Sequence, residues 1–218
     1  MAVSVDTLIN NVASTLLDTS HRSWTRADLL SYLNKAQRTI CGDYKLDAYT
    51  KLAYIPLVDG TNQSLPEDGQ AVAVMDITQN QGTKLRITLV DQELLDESNR
   101  FWQAATHETD VQHWCADPRS PRRFNVTPPN DGDGSVLTLY GAIPDELTGS
   151  SGEVIQLNDS LQYPLECLML AYAYAKNSKK QDFSKTQYYT NECRLALGLK
   201  SQGQVAVAPK VAVSEGMK

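Results

Sequence analysis

Apolar residues recur every three or four positions near both ends of the chain, whereas a long middle stretch does not follow this period. The first such stripe comprises Val5, Leu8, Ile9, Val12 and Leu16. The second comprises Leu29, Leu30, Leu33, Ala36 and Ile40. Because this spacing places side chains on one side of an α-helix, the pattern predicts two amphipathic helices joined by the short polar segment at 18–23.

The second helix carries signals for both of its ends. Thr25 and Asp28 stand three positions apart as a capping box, in which each side chain accepts a hydrogen bond from a backbone N–H of the first turn. Trp24 and Leu29 flank the cap as a hydrophobic staple. Gly42 follows the last apolar position and predicts a left-handed C-terminal cap.

Helical spacing returns after residue 160. One stripe comprises Leu165, Leu168, Met169, Tyr172 and Ala175. Pro164 suits the first turn of this helix, where a backbone N–H is not needed. A last helix is predicted around Tyr188 and Leu195, ending near Gly198, with a turn at 178–182 before it.

The middle of the chain reads as β-structure. Clusters of Gly, Pro, Asn and Asp punctuate it, and apolar and polar residues alternate at 85–89. The pattern predicts a hairpin of residues 72–77 and 85–89 and a second hairpin of residues 111–115 and 124–127. It also predicts a strand at 135–142. Residues 91–98 read as a brief helix, with Phe101 and Trp102 as an aromatic plug.

These elements predict an α+β fold. We expect an antiparallel four-helix bundle, an antiparallel β-rich insertion between helices two and three, and an extended C-terminal tail. The predicted domains are the bundle at 1–42 and 157–199, the insertion at 43–156 and the tail at 200–218.

Composition narrows the function classes. The net charge of −6 and the pI near 5.1 argue against a general DNA-binding or membrane-surface protein, since both need a basic surface. No stretch resembles a signal peptide or a membrane span, so we expect folding in a reducing cytoplasm. Without CxxC spacing, the cysteines are predicted to be buried free thiols. They are Cys41, Cys115, Cys167 and Cys193.

Little in the sequence indicates catalysis. His107, His113 and Cys115 have residue types that bind metals, but no fourth ligand stands at a recognisable spacing. We therefore expect neither a metal nor a cofactor. A hydrolase that uses Cys115 with His107 or His113 remains an alternative function, although no acid is placed to orient the histidine.

The one basic concentration lies in the predicted hairpin turn that contains Pro118 and Pro121. It consists of Arg119, Arg122 and Arg123. Such a turn is either simply solvated or a contact, made with a neighbouring subunit or with DNA phosphate. In so acidic a chain we favour a protein contact.

Several segments together resemble a known family. They are LINNVASTLLDTSHRSWTRADLLSYLNKAQRTI, LVDGTNQSLPEDG, LVDQELLDESNRFWQ, WCADPRSPRRFNVTPP and LECLMLAYAYAKNSKKQDFSKTQYY. In this order, over residues 5–197, they resemble the head-to-tail adaptors of tailed bacteriophages, also called connector or head-completion proteins. Each segment is weak alone, and their joint order is what makes the resemblance specific.

The resemblance implies a structural virion protein without enzymatic activity. Such adaptors form a ring, typically of twelve copies, that attaches to the portal after DNA packaging, extends the DNA channel and offers a docking platform to the tail. The implied partners are the portal protein and a tail nozzle or tail-tube protein, with no membrane and no sequence-specific DNA binding. The implied location is the virion neck, reached from the host cytoplasm during assembly.

The resemblance also suggests contact residues. In several adaptors the C-terminal segment docks on the portal, which here points to Val205, Val207, Pro209, Val211 and Val213. These valines also suit a segment that becomes an extended strand on a partner. Lys35 and Arg38 join the three arginines as candidates for contact with a neighbouring subunit or the tail. A receptor- or carbohydrate-binding module, with Trp102 and Trp114 exposed, is a further alternative.

Overall fold

The computed structural model describes residues 3–176 and 179–199. Its α-helices are α1 (Val5–Thr15), α2 (Arg26–Thr39), α3 (Gln92–Ser98), α4 (Gln162–Ala175) and α5 (Phe183–Ala196). Its strands are β1 (Thr50–Pro56), β2 (Gly60–Ser64), β3 (Ala71–Asn80), β4 (Thr88–Leu89), β5 (His113–Ala116), β6 (Arg123–Asn130) and β7 (Ser135–Ala142). The predicted C-terminal tail lies outside the described residues.

The predicted start of α2 is confirmed. The Thr25 hydroxyl accepts a hydrogen bond from the backbone N–H of Asp28, and the Asp28 carboxylate accepts one from the backbone N–H of Thr25. The predicted C-terminal cap at Gly42 is wrong. Residues Ile40–Tyr44 continue α2 as a π-helical turn, which the Lys45 N–H closes by donating to the Ile40 carbonyl at 2.7 Å.

The fold is α+β, but the predicted antiparallel four-helix bundle is wrong. The described chain has five α-helices and two sheets. A four-helix bundle needs an apolar stripe from each helix around a shared core. Instead, α4 is the central helix, with eight buried residues and α1, α2 and α5 packed against it, while α5 buries only Cys193.

The seven strands form two sheets. Sheet 1 has the order β1-β7-β3, and its strands are antiparallel. Sheet 2 has the order β2-β6-β5-β4. The predicted hairpin of β5 and β6 is confirmed, as is the strand at Ser135–Ala142. The predicted brief helix is present as α3, which Asp91 caps.

The predicted pairing of residues 85–89 is wrong for most of its length. After one antiparallel bridge between Gln79 and Arg86, the chain leaves β3, and β4 pairs in parallel with β5. Leu85 and Leu89 are therefore exposed, while Ile87 between them is buried. The insertion is mixed in strand direction and not purely antiparallel.

The core has a helical part and a β part. In the helical part, α1, α2 and α4 pack through their apolar stripes. In the β part, Ile77 and Val136 of sheet 1 pack against Trp114, Phe124 and Val126 of sheet 2. The predicted aromatic plug is half right, since Trp102 is buried and Phe101 is exposed.

No helix among the described residues is both long enough and apolar enough to span a bilayer.

Candidate interaction surfaces

The arginine-rich turn between β5 and β6 is held by hydrogen bonds of the Asp117 and Arg122 side chains. Asp117 opens it, and the Asp117 carboxylate accepts a hydrogen bond from the Arg119 N–H at 2.8 Å. Arg122 is half-buried, and its Nη2 donates to the Pro66 carbonyl at 2.8 Å. Arg119 and Arg123 are exposed. The turn therefore presents two guanidinium groups to solvent and uses the third within the fold.

Lys35 and Arg38 lie on the exposed side of α2, away from its buried stripe. The Lys35 ammonium sits 4.2 Å from the centre of the Tyr172 ring, a cation–π contact. Arg38 Nη2 lies 3.9 Å from a carboxylate oxygen of Glu146, with both side chains largely exposed. An exposed ion pair of this length adds little stability. The Arg38 guanidinium and the Glu146 carboxylate therefore both remain available to a partner.

The histidines near Cys115 are engaged elsewhere. His107 Nδ1 is 2.6 Å from a carboxylate oxygen of Asp59, and His113 Nδ1 is hydrogen-bonded to the Thr88 hydroxyl. Burial raises the pKa of the Cys115 thiol, which opposes formation of the reactive thiolate. Within residues 3–176 and 179–199, no three His, Cys, Asp or Glu side chains come close enough to hold a metal ion.

The two tryptophans considered for carbohydrate binding are both buried. Trp102 is 2% exposed and its indole N–H donates to the Asp96 carboxylate at 2.8 Å. Trp114 is 3% exposed and belongs to the core between the sheets. Neither offers a flat ring to a sugar.

The five predicted portal-binding residues, Val205, Val207, Pro209, Val211 and Val213, lie outside the described residues. Their predicted role therefore remains a prediction.

A sequence model described as SU10 adaptor protein matches residues 3–212, nearly the whole chain. The chain belongs to the SU10 adaptor family. Among curated proteins, none matches it. The family identifies the chain as a phage head-to-tail adaptor, a structural component of the virion neck that interacts with portal and tail proteins. Proteins of this kind are usually not enzymes.

In this SU10 adaptor the negative charge is concentrated in one part of the chain. Residues 43–156 contain 18 Asp and Glu against 8 Lys and Arg, a formal charge of −10. The net charge of the whole chain is only −6, because the helical residues and the C-terminal residues are slightly basic. The sequence shows this uneven distribution of charge only when the charged residues are counted by region.

The outer side of sheet 1 forms a second surface of the adaptor, which the sequence did not predict because β1 itself was not predicted. Leu52 and Tyr54 of β1 and Leu137 and Leu139 of β7 share the outer side of sheet 1. Leu52 is 60% exposed and Tyr54 is 39% exposed, while both leucines of β7 are half-buried. Strand β1 is therefore apolar on both sides, and such a strand shows no clear alternation.

Proposed function

We propose that this adaptor assembles as a ring of twelve copies beneath the portal after DNA packaging, where it extends the DNA channel and provides the docking platform for a tail nozzle or tail tube. The observation that carries the proposal is the family match over residues 3–212. The absence of an activated nucleophile at Cys115 and the burial of both candidate sugar-binding tryptophans make the alternative functions weaker.

We assign the three proposed domains different roles. The helical domain, residues 1–42 and 157–199, forms the body of the ring. The β-rich domain, residues 43–156, faces the tail. The C-terminal segment, residues 200–218, binds the portal through Val205, Val207, Pro209, Val211 and Val213.

The charge distribution supports a role as a passage for DNA. A formal charge of −10 in residues 43–156, repeated around a ring, gives a strongly negative surface. Such a surface repels DNA phosphate and keeps passing DNA from adhering. Sequence-specific contacts are not expected, because base recognition needs donors held against the duplex by basic groups.

Neighbouring subunits or the tail are proposed to contact the two basic surfaces. Lys35 and Arg38 on α2 provide one, and Arg119 in the β5–β6 turn with Arg123 at the start of β6 provides the other. Arg122 belongs to the same turn, and its bond to the Pro66 carbonyl keeps the turn in place. The exposed guanidinium groups of these arginines favour carboxylate groups as partners.

The deciding experiment is the mass of the purified full-length chain by light scattering, alone and with a purified portal ring added. A stoichiometric ring of subunits on the portal supports the proposal, and deletion of residues 203–218 is expected to abolish co-sedimentation. If the mass and the sedimentation of the chain do not change when portal is added, the proposed function is wrong. Cys115→Ser serves as the matched control, expected to assemble like the wild type.

A further inference from the structure

Strand β3 places polar Asp76 and Gln79 on the outer side of sheet 1, and Gln79 Nε2 donates to the Tyr54 hydroxyl at 2.8 Å, so only the part formed by β1 and β7 is an apolar surface. Leu52, Tyr54, Leu137 and Leu139 form it, and we call it the outer face. The opposite sides of β1 and β7 are packed in the core through residues such as Ile55, Val136 and Tyr140. An apolar sheet face left in water is a binding surface for an apolar partner.

Strand β1 is also an edge strand. Among the described residues it pairs with β7 alone, so one row of its backbone N–H and C=O groups faces outward. An edge strand of seven residues with exposed apolar side chains is a template for a further strand. Natural proteins cover or charge such edges, and β1 carries only Lys51 as a charge.

The last described helix, α5, contacts the segment that precedes β1. The Arg194 guanidinium, in the last turn of α5, lies 5.7 Å from the centre of the Tyr44 ring. Tyr44 ends the π-helical turn that leads into β1. Residues 200–204 span up to about 16 Å when extended, at roughly 3.3 Å per residue.

Residues 205–213, VAVAPKVAV, match the surface in pattern and in length. Every odd-numbered position is apolar and large, and the even-numbered positions hold alanines and Lys210. Nine extended residues cover about 30 Å, enough to run along the roughly 23 Å of β1. Pro209 has no N–H and is tolerated only where that position of a strand faces solvent, as on an edge.

Charge also favours this pairing. Residues 200–218 hold three lysines and one glutamate, a formal charge of +2. The β-rich residues 43–156 carry −10. An apolar segment with a basic character and an apolar face in an acidic domain are complementary in both respects.

We propose that, in the free subunit, residues 205–213 of the same chain pair with the edge of β1 and place their valines beside Leu52 and Tyr54 on the outer side of the sheet. The contact itself does not depend on the proposed function. The consequence for portal binding does depend on the proposed function, because the portal must displace residues 205–213 from β1 before it binds them. A free subunit then keeps its portal-binding segment occupied until the portal competes for it.

The test is hydrogen–deuterium exchange of the full-length chain without portal. The test variant is Val207→Asp with Val211→Asp, which places charges on the side of the segment that meets the outer face. The matched control is Ala206→Asp with Ala212→Asp, which adds the same charge to the opposite side. We expect the outward amides of β1 to exchange at least tenfold faster in the test variant than in the wild type or the control.

Equal exchange of β1 in all three proteins would overturn the proposal, and so would a control that behaves like the test variant. Protection that increases with protein concentration, together with a doubled mass, would show that a second copy supplies the segment, and this also overturns it. Portal co-sedimentation is measured separately. If the wild type fails to bind portal, the proposed function fails, whereas the exchange result still decides the contact at β1.

Discussion

The side chain of Asn34 makes two hydrogen bonds with the backbone of a single residue, Leu147. Asn34 Nδ2 donates to the Leu147 carbonyl at 2.9 Å, and the Leu147 N–H donates to Asn34 Oδ1 at 2.9 Å. Both residues are buried. Asn34 thus joins α2 to the irregular segment between β7 and α4, where no secondary structure satisfies these backbone groups.

Replacing Asn34 with Ala is expected to lower the free energy of unfolding by about 3 kcal/mol, because a buried N–H and a buried C=O lose their partners. Urea denaturation measures the change. The control is Asn11→Ala, since the Asn11 amide donates to Glu166 on the exposed surface and its loss should cost at most about 0.5 kcal/mol. Equal losses in the two variants would contradict the role given to Asn34.

Asp18 makes the turn between α1 and α2 sensitive to acid. Its carboxylate accepts hydrogen bonds from the backbone N–H groups of Trp24, Ser23 and Arg22, at 2.7–3.0 Å. The bond from Trp24 is the chief reason that the pKa of Asp18 lies below its ordinary value of 3.8. A folded-state pKa below the unfolded value gives stability that is present above pH 3.8 and is lost as pH falls through the lower pKa.

Asp18→Asn should therefore melt at a lower temperature than the wild type above pH 4, and the difference should shrink as the pH falls toward 2. Thermal melts across this range measure it. Glu97→Gln, at an exposed position on α3, removes one carboxylate away from this turn and is the control. A constant difference for Asp18→Asn would show that its carboxylate charge is not what holds the turn.

The four thiols are expected to resist alkylation in the folded protein. All four are free and buried, and burial raises the pKa of Cys41 and Cys193 to about 12. Since the thiolate is the reactive form, iodoacetamide at pH 8 should label them slowly without denaturant and fully in urea. Mass spectrometry counts the labels. Rapid native labelling of Cys115 would reopen the hydrolase alternative.

The arginines of the β5–β6 turn are expected to separate into two kinds. Arg122→Ala removes the hydrogen bond to Pro66 and should lower the free energy of unfolding by about 1–2 kcal/mol. Arg119→Glu, at an exposed position, should leave stability within about 0.5 kcal/mol but weaken particle assembly if the turn meets a partner. Unchanged assembly with Arg119→Glu would exclude that contact.

Local signals predicted the helices well. The capping box of Thr25 and Asp28 and the apolar stripes of α1, α2 and α4 act within a few residues, so the sequence alone contains them. The stop near Gly198 also follows, since Gly198 adopts a positive φ of 72° that favours glycine. The predicted cap at Gly42 was wrong because a glycine after a helix is compatible with a cap and equally with a continued π-helical turn.

The sheets were harder because strand partners are distant in sequence. Nothing near Thr88 indicates that it pairs with His113 in parallel, and the alternation at 85–89 does not distinguish exposed Leu85 from buried Ile87. The role of α5 was misread for a similar reason, since its stripe indicates a helix but not how much of it a neighbour covers. Lys35, Arg38, Arg119 and Arg123 lie at exposed positions, whereas Arg122 is half-buried and bonded to the Pro66 carbonyl. The outer face of sheet 1 required knowledge of β1.

The pairing of β1 with β7 has a consequence for how such a chain can diversify. Thr50 stands opposite Gly141, so the polypeptide leaves the helices and returns to them through two adjacent antiparallel strands. Gly141 allows this close return, because a Cβ at this position would lie 2.3 Å from the Leu46 carbonyl oxygen. The ninety residues 51–140 are thus attached to the helices through two neighbouring positions, Thr50 and Gly141. A lineage can lengthen, shorten or exchange these residues without moving α2 relative to α4.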